Sequence, residues 1–173
     1  MVEIVQDGNK TLRQIAKEVP VSEITKPEIQ KILKDMSEAL DSQNDGVAIA
    51  APQIDVSLRI FIVSGKIFDK EFMDGTNNFR SIKTHLNLFF INPVITKISK
   101  DKKVMDEGCL SVRPIYGKVR RATRATVEAY NEKGKKFKMN GSGLLAHIFQ
   151  HETDHLEGIL FIDKAKDMRE ILQ

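Results

Sequence analysis

Five consecutive residues, His151-Glu152-Thr153-Asp154-His155, carry the strongest chemical signal in this 173-residue sequence. On a helix, two histidines four residues apart stand one turn apart on one face, so both imidazoles can reach a single metal ion. The glutamate between them lies about 100° round the axis from the first histidine. From there it can act on water at the ion without ligating the ion itself. Leu144 and Ile148 continue the same stripe, with His151 and His155 at i+7 and i+11. An apolar stripe faces a core, which predicts that these histidines point inward too.

His147 stands one turn before His151 and raises a longer stripe of ligands. Helix rise sets His147 and His155 about 12 Å apart, too far for one ion with bonds of about 2.1 Å. His147 is therefore assigned to a pocket wall or core edge. A catalytic metal usually takes three protein ligands and keeps one position open. One metalloprotease class places its third ligand three residues after a glycine, but here Gly158 is followed at that spacing by Phe161. A second class uses a glutamate well downstream. The chain ends 18 residues after His155, and Glu157 and Glu170 are poor candidates. The third ligand is expected upstream. Cys109, the only cysteine, offers a thiolate that binds zinc or ferrous iron strongly. Taken alone, a single cysteine is more often a small buried apolar residue. Gly108 before it allows the close backbone approach that a metal or substrate contact needs.

Elements that could position these groups are legible. Pro27 opens a helix whose Ile29, Ile32, Leu33, Met36, Ala39 and Leu40 repeat at helical spacing. Thr25 and Glu28 match a capping box, and Asn44-Asp45-Gly46 stops the run. Residues 58–64 and 86–91 read as strands, with a polar connection over 65–85 that has the look of a long loop. Within it His85 is assigned a structural or solvated place. Residues 126–139 read as a hairpin turning at Glu132-Lys133-Gly134-Lys135. Gly141 and Gly143 lead into the histidine helix over 144–156, which Gly158 ends, and a short third helix is predicted from Lys164 onward. The expected fold is α+β, one domain over 1–173, with antiparallel or mixed β-sheets around a central metal-binding helix.

Three segments now read together. Gly46-Val47-Ala48-Ile49-Ala50-Ala51-Pro52-Gln53 resembles the first signature of the peptide deformylase family, G-x-G-x-A-A-x-Q. Glu107-Gly108-Cys109-Leu110-Ser111 resembles the second, E-G-C-L-S, and residues 150–155 the third, Q-H-E-x-D-H. Their order and separation also fit, and the resemblance covers about residues 44–165. It implies one divalent ion per chain on Cys109, His151 and His155, with Fe2+ the native metal and Zn2+, Ni2+ or Co2+ able to use the same ligands. Glu152 would be general acid and base. Gln53 and the backbone N–H of Leu110 would stabilise an oxyanion. Backbone at Gly46, Val47, Ala48 and Gly108 would line the peptide, with β-type pairing around Val47 and Ala48. Leu144, His147 and Ile148 would wall a methionine pocket near Val47. The implied reaction removes the N-formyl group from formyl-methionine on nascent polypeptides, releasing formate.

Two departures stand out. The second glycine of the first signature is Ala48, strained if that position needs φ > 0 and a narrowing of the cleft if it does not. Val112 is followed by Arg113-Pro114, where the family often continues Val-Pro-Gly.

Composition bounds the remaining readings. A net charge of +3 with 41% hydrophobic and 29% charged residues is ordinary for a globular chain. The first residues lack the apolar core of a secretory signal, and no apolar run reaches the ~20 residues of a membrane span. A lone cysteine makes no internal disulfide and fits a reducing compartment. The expectation is a cytoplasmic protein with no membrane partner and no specific nucleic acid, the resemblance leaving room for a transient ribosome contact. Two rivals stay open. One is another small metallopeptidase. The other is a non-catalytic scaffold touching RNA phosphates through Arg113, Arg120, Arg121, Arg124, Lys164, Lys166 and Arg169.

Overall fold

Strand β2 (Ile60–Val63) is buried on both faces, which explains why its sequence is a continuous apolar run rather than an alternation. Phe61 and Val63 enter one core cluster with Phe90, Val127, Ile148, Phe149 and Leu156. Ile60 and Ile62 enter another, with Leu33, Met36, Leu40, Ile49 and Ile91. The strand is thus the middle of a three-layer arrangement. The computed structural model describes residues 2–69 and 86–171.

Around β2 the chain builds two antiparallel sheets. A five-stranded sheet has the order β1-β2-β3-β6-β7, from β1 (Ala48–Ala50), β3 (Leu88–Ile98), β6 (Arg124–Tyr130) and β7 (Lys136–Ser142). A three-stranded sheet joins β4 (Lys102–Gly108), β5 (Ile115–Ala122) and β8 (Lys166–Glu170). Helix α1 (Pro27–Asp41) buries Ile29, Leu33, Met36, Ala39 and Leu40 against one face of the larger sheet, and Ile32 is half-buried beside them. Helix α2 (Gly143–Leu156) crosses the other face and touches β1, β3, β6 and β7. Its Phe149 packs edge-on to Phe90, ring centres 5.3 Å apart, and Phe90 stacks on Phe61 at 4.6 Å. Leu12, Val112, Val119, Leu160 and Phe161 fill the space beneath the smaller sheet.

The β6–β7 hairpin turns where expected. Asn131 Oδ1 accepts from the N–H groups of Lys133 and Lys135, and Gly134 takes φ +73°. Gly158, at φ +71°, ends the histidine helix.

Two local expectations fail. Helix α1 is capped by Lys26 with no side-chain hydrogen bond, so Thr25 and Glu28 form no capping box. Pro27 at the first helical position sets the start instead. Residues 166–170 form strand β8 rather than a third helix. Lys, Met, Arg and Glu favour helix on propensity, but all five residues are exposed and bury no apolar stripe. The open edge of β5 supplies partners instead, with Ile115 opposite Glu170 and Tyr116 opposite Arg169. Of the connection over 65–85, the first residues form a 3₁₀ turn (Gly65–Phe68), and residues 70–85, His85 included, lie outside the described residues. No helix among the described residues is long and apolar enough to cross a membrane.

Candidate active site

Helix α2 carries Leu144, Ile148, His151 and His155 on one stripe, and the stripe faces inward as predicted: Ile148 and both histidines are buried and Leu144 half-buried. The Nε2 atoms of His151 and His155 lie 3.2 Å apart. Cys109 follows the last residue of β4, and its Sγ reaches within 3.3 Å of His155 Nε2. The donor atoms of Cys109, His151 and His155 all lie within 4.8 Å of one another. A tetrahedral ion with bonds of about 2.1 Å to nitrogen and 2.3 Å to sulfur sets its ligand atoms about 3.4–3.6 Å apart. The observed spacings fit one small divalent cation, and a donor set of two imidazole nitrogens and one thiolate sulfur suits zinc or ferrous iron. His147 takes no part in the cluster, as the helix rise required.

Behind His151 stands a group that sequence reading left without a role. Glu107, 5% exposed, hydrogen-bonds His151 Nδ1 through Oε1 and His147 Nε2 through Oε2. Arg121, also 5% exposed, clamps the same carboxylate, Nε donating to Oε2 at 3.1 Å and Nη2 to Oε1 at 2.6 Å. Its Nη1 donates to Asp154 Oδ2 at 2.6 Å, and Lys164 Nζ reaches that same oxygen from the surface at 2.6 Å. Burial works against the Glu107 charge, but the bonds from His147, His151 and Arg121 overcome it and hold its carboxyl far below the usual carboxylate range. Burial lowers His151, yet its contacts with Cys109 and Glu107 carry it well above the usual imidazole range. His155 is pushed well below that range by burial, then by the charge of His151.

Arg121 therefore does not belong to a solvated basic face. The alternation of β5 was the available signal, since Gly117, Val119 and Arg121 share the face turned inward. Arg113, Arg124, Lys164 and Arg169 pair with Asp45, Asp101, Asp154 and Asp106 but stay substantially exposed, unlike Arg121.

Glu152 is 4% exposed, and its Oε2 has no hydrogen-bond partner among the described residues. Burial pushes its carboxyl up to about 7. A divalent cation on the neighbouring ligands would draw it down again.

The opposite wall comes from the segment after β1. Gln53, in a 3₁₀ turn (Ala51–Ile54), is 1% exposed. Its Oε1 accepts from Ala50 N–H at 2.8 Å, and its Nε2 donates to Ser111 Oγ at 3.1 Å and toward Cys109 Sγ at 3.5 Å. Gly46, Val47, Ala48, Gln53, Gly108, Cys109, Leu110, Leu144, His147, Ile148, His151 and Glu152 all line one cleft. Strand β1 is the edge of its sheet, so one side of its backbone faces away from β2. Across the mouth, Arg113 Nη2 donates to Asp45 Oδ1 at 2.6 Å, joining the two walls.

Both glycine expectations are refined. Among the described residues, those other than glycine at positive φ are Asp55, Asn92 and Asp167, so Ala48 sits in ordinary strand geometry without strain. Gly108, which lines the cleft, also makes room for a neighbour on the next strand. A Cβ there would meet the Tyr116 ring at 2.5 and 2.8 Å.

Comparison with known proteins agrees with this geometry. The family described as polypeptide deformylase matches residues 1–170. A peptide deformylase of Desulfitobacterium hafniense is 44% identical over 165 residues, 95% of this chain and 94% of that one. One from Fusobacterium nucleatum is 42% identical over 161 residues, 93% of this chain and 82% of that one. Among solved structures, a Met-Ala-Ser-bound class I type b peptide deformylase from Acinetobacter baumannii superposes with a TM-score of 0.82 at 30% identity, covering 95% of this chain and 98% of that one. A peptide deformylase from Synechococcus elongatus in complex with actinonin gives 0.78 at 29% identity, covering 96% and 79%.

Proposed function

The chain belongs to the peptide deformylase family, hydrolases that remove the formyl group from N-terminal formyl-methionine, and we propose how its own residues divide that work. Cys109, His151 and His155 hold one divalent ion, which we assign as ferrous iron, with zinc, nickel and cobalt able to take the same ligands. The ion supplies Lewis-acid chemistry, acidifying water and polarising a carbonyl oxygen.

Glu152 takes the proton of the attacking water and delivers it to the leaving amine. The observation that carries this role is its unpartnered Oε2, buried in the cleft beside the ligand cluster. Gln53 Nε2 and the Leu110 N–H meet the negative charge that develops on the formyl oxygen. Backbone of the β1 edge, at Gly46, Val47 and Ala48, aligns the peptide as an added strand, with Gly108 on the facing wall. Val47, Leu144, His147 and Ile148 take the methionine side chain. A small formyl group fits beside Gln53, where acetyl meets the wall. The substrates are nascent formylated polypeptides; a cytoplasmic setting and a transient ribosome encounter complete the proposal.

The test is formate release from formyl-Met-Ala, using protein purified without oxygen and loaded in parallel with Fe(II), Ni(II) or Zn(II). Turnover should depend on the metal, fall by about 10²–10⁴ in Glu152→Ala, and be absent with acetyl-Met-Ala. Unchanged turnover in Glu152→Ala with its full metal content would remove Glu152 from this role.

A further inference from the structure

The Gln53 carboxamide needs a fixed orientation if it is to aim one N–H at the reacting oxygen. A free amide rotates, and its oxygen and nitrogen can exchange places. Here the oxygen end is fixed by Ala50 N–H at 2.8 Å. That bond alone leaves the plane of the amide free to swing. The second constraint is Ser111 Oγ, which accepts one Nε2 hydrogen at 3.1 Å and leaves the other directed toward Cys109 Sγ, 3.5 Å away. Ser111 is fully buried.

The serine is itself braced from behind. Asp7 N–H donates to Ser111 O at 2.7 Å, Val5 N–H to Gln53 O at 2.9 Å, and Gln6 Nε2 to Leu110 O at 3.0 Å. One N-terminal segment thus fastens the backbone of Gln53, Leu110 and Ser111, which come from two separate loops.

We propose that Ser111 is a positioning residue for the deformylation reaction: its hydroxyl holds the Gln53 carboxamide in the orientation that meets the oxyanion, and the segment at residues 5–7 holds both partners in register. This rests on Gln53 acting as an oxyanion donor. Ser111 also touches the thiol, through its backbone N–H to Cys109 Sγ at 3.4 Å. Replacing the side chain leaves that bond in place, so orientation of Gln53 is separable from support of the metal ligand.

The experiment is a double-mutant cycle on nickel-loaded protein with formyl-Met-Ala, using Ser111→Ala, Gln53→Ala and the pair. Ser111→Ala should lower kcat about tenfold with KM and metal content little changed, a fraction of the roughly 10²–10³ lost when an oxyanion donor is removed outright. In the Gln53→Ala background the same change should cost nothing further. Equal losses in both backgrounds would overturn the proposal, as would a kcat within twofold of the parent. A second readout needs no turnover. In zinc-loaded protein the Gln53 side-chain amide protons should exchange with solvent roughly fivefold faster or more once Ser111 is alanine, and unchanged exchange would count against the clamp. If Ser111→Ala fails to fold, Ser111→Thr against Ser111→Val compares hydroxyl with methyl at equal volume, and equal kcat in that pair overturns the proposal. Parent protein that releases no formate removes the reading of Gln53 and this inference together; an active parent with additive losses removes this inference alone.

Discussion

Behind His151 the cleft is held by charge: Glu107, Arg121 and Asp154 are joined by bonds of 2.6 to 3.1 Å, the first two 5% exposed and the Asp154 side chain 17%. Across the cleft Gln53 is held by neutral groups, an amide N–H, a hydroxyl and the backbone of the N-terminal segment. The two walls face different demands. A metal ligand must keep its ring orientation and donor nitrogen against a divalent charge, and a carboxylate on the far ring nitrogen fixes both. An oxyanion donor must keep its N–H aimed at the reacting oxygen, and the amide and hydroxyl contacts fix that aim. The charged wall should therefore fail through metal loss and unfolding, and the neutral wall through lost rate in a folded, loaded enzyme.

The largest effect is expected on the charged wall. Arg121→Met leaves Glu107 buried against two histidines without its guanidinium partner. Removing one member of a buried ion pair costs about 3–5 kcal/mol, and metal affinity should fall about 10–100-fold with the disturbed support of His151. Denaturant unfolding and chelator competition read the two quantities. Adding Glu107→Gln should recover part of the stability, because the uncompensated charge is gone. A single variant as stable as the parent would break the contrast between the walls.

Gln53→Ala probes the neutral wall at nearly the same energy but in a different quantity. Loss of one oxyanion donor should lower kcat by about 10²–10³, or roughly 2.7–4 kcal/mol in the barrier. Metal content should match the parent. Comparable kcat with weakened metal binding would show that the 3.5 Å approach of Nε2 to Cys109 Sγ matters more to the ion than to the substrate.

Ala48→Gly gives a smaller effect on the strand beside Gln53. Ala48 is 7% exposed within the aromatic core cluster and has ordinary strand torsions. Glycine there should cost about 0.5–1 kcal/mol of stability through added freedom of the unfolded chain, with a change in KM that exceeds any change in kcat. A rise in kcat instead would mean that the methyl interferes with the reacting group.

These contrasts also explain what the sequence made legible. The cluster of Cys109, His151 and His155 could be read because helical spacing fixed two members and arithmetic along the helix excluded His147, and the three ordered signatures then pointed to Cys109. Strand β2 and helix α1 could be read because apolar runs and 3.6-residue periodicity report burial directly. The charged wall was harder to read: the alternation of β5 turns Arg121 inward, but nothing local names the carboxylate it meets. Arg121 sits in a basic stretch beside Arg120 and Arg124, and only the pairing of β4 with β5 brings it onto Glu107. The contact of Gly108 with the Tyr116 ring was hidden for a similar reason, since that ring belongs to the next strand. Strand β8 was misread because residue propensity says helix while the unpaired edge of β5, invisible in a one-dimensional pattern, says strand.

The smallest effect should lie where the charged wall reaches water. Asp154 Oδ2 accepts from both Arg121 and Lys164 at 2.6 Å, yet the two donors differ in exposure, 5% for the arginine side chain and 43% for the lysine. Solvent screens the lysine, and ordering its long side chain offsets much of the attraction. Lys164→Ala should therefore change stability by no more than about 0–1 kcal/mol, leave metal affinity unaltered, and lose even that effect in high salt. Arg121 already satisfies the same oxygen, so the carboxylate keeps a buried partner when the lysine is gone. A drop in stability approaching that of Arg121→Met, persisting in high salt, would show that the two cations act on Asp154 as one unit and that the charged wall extends to the surface.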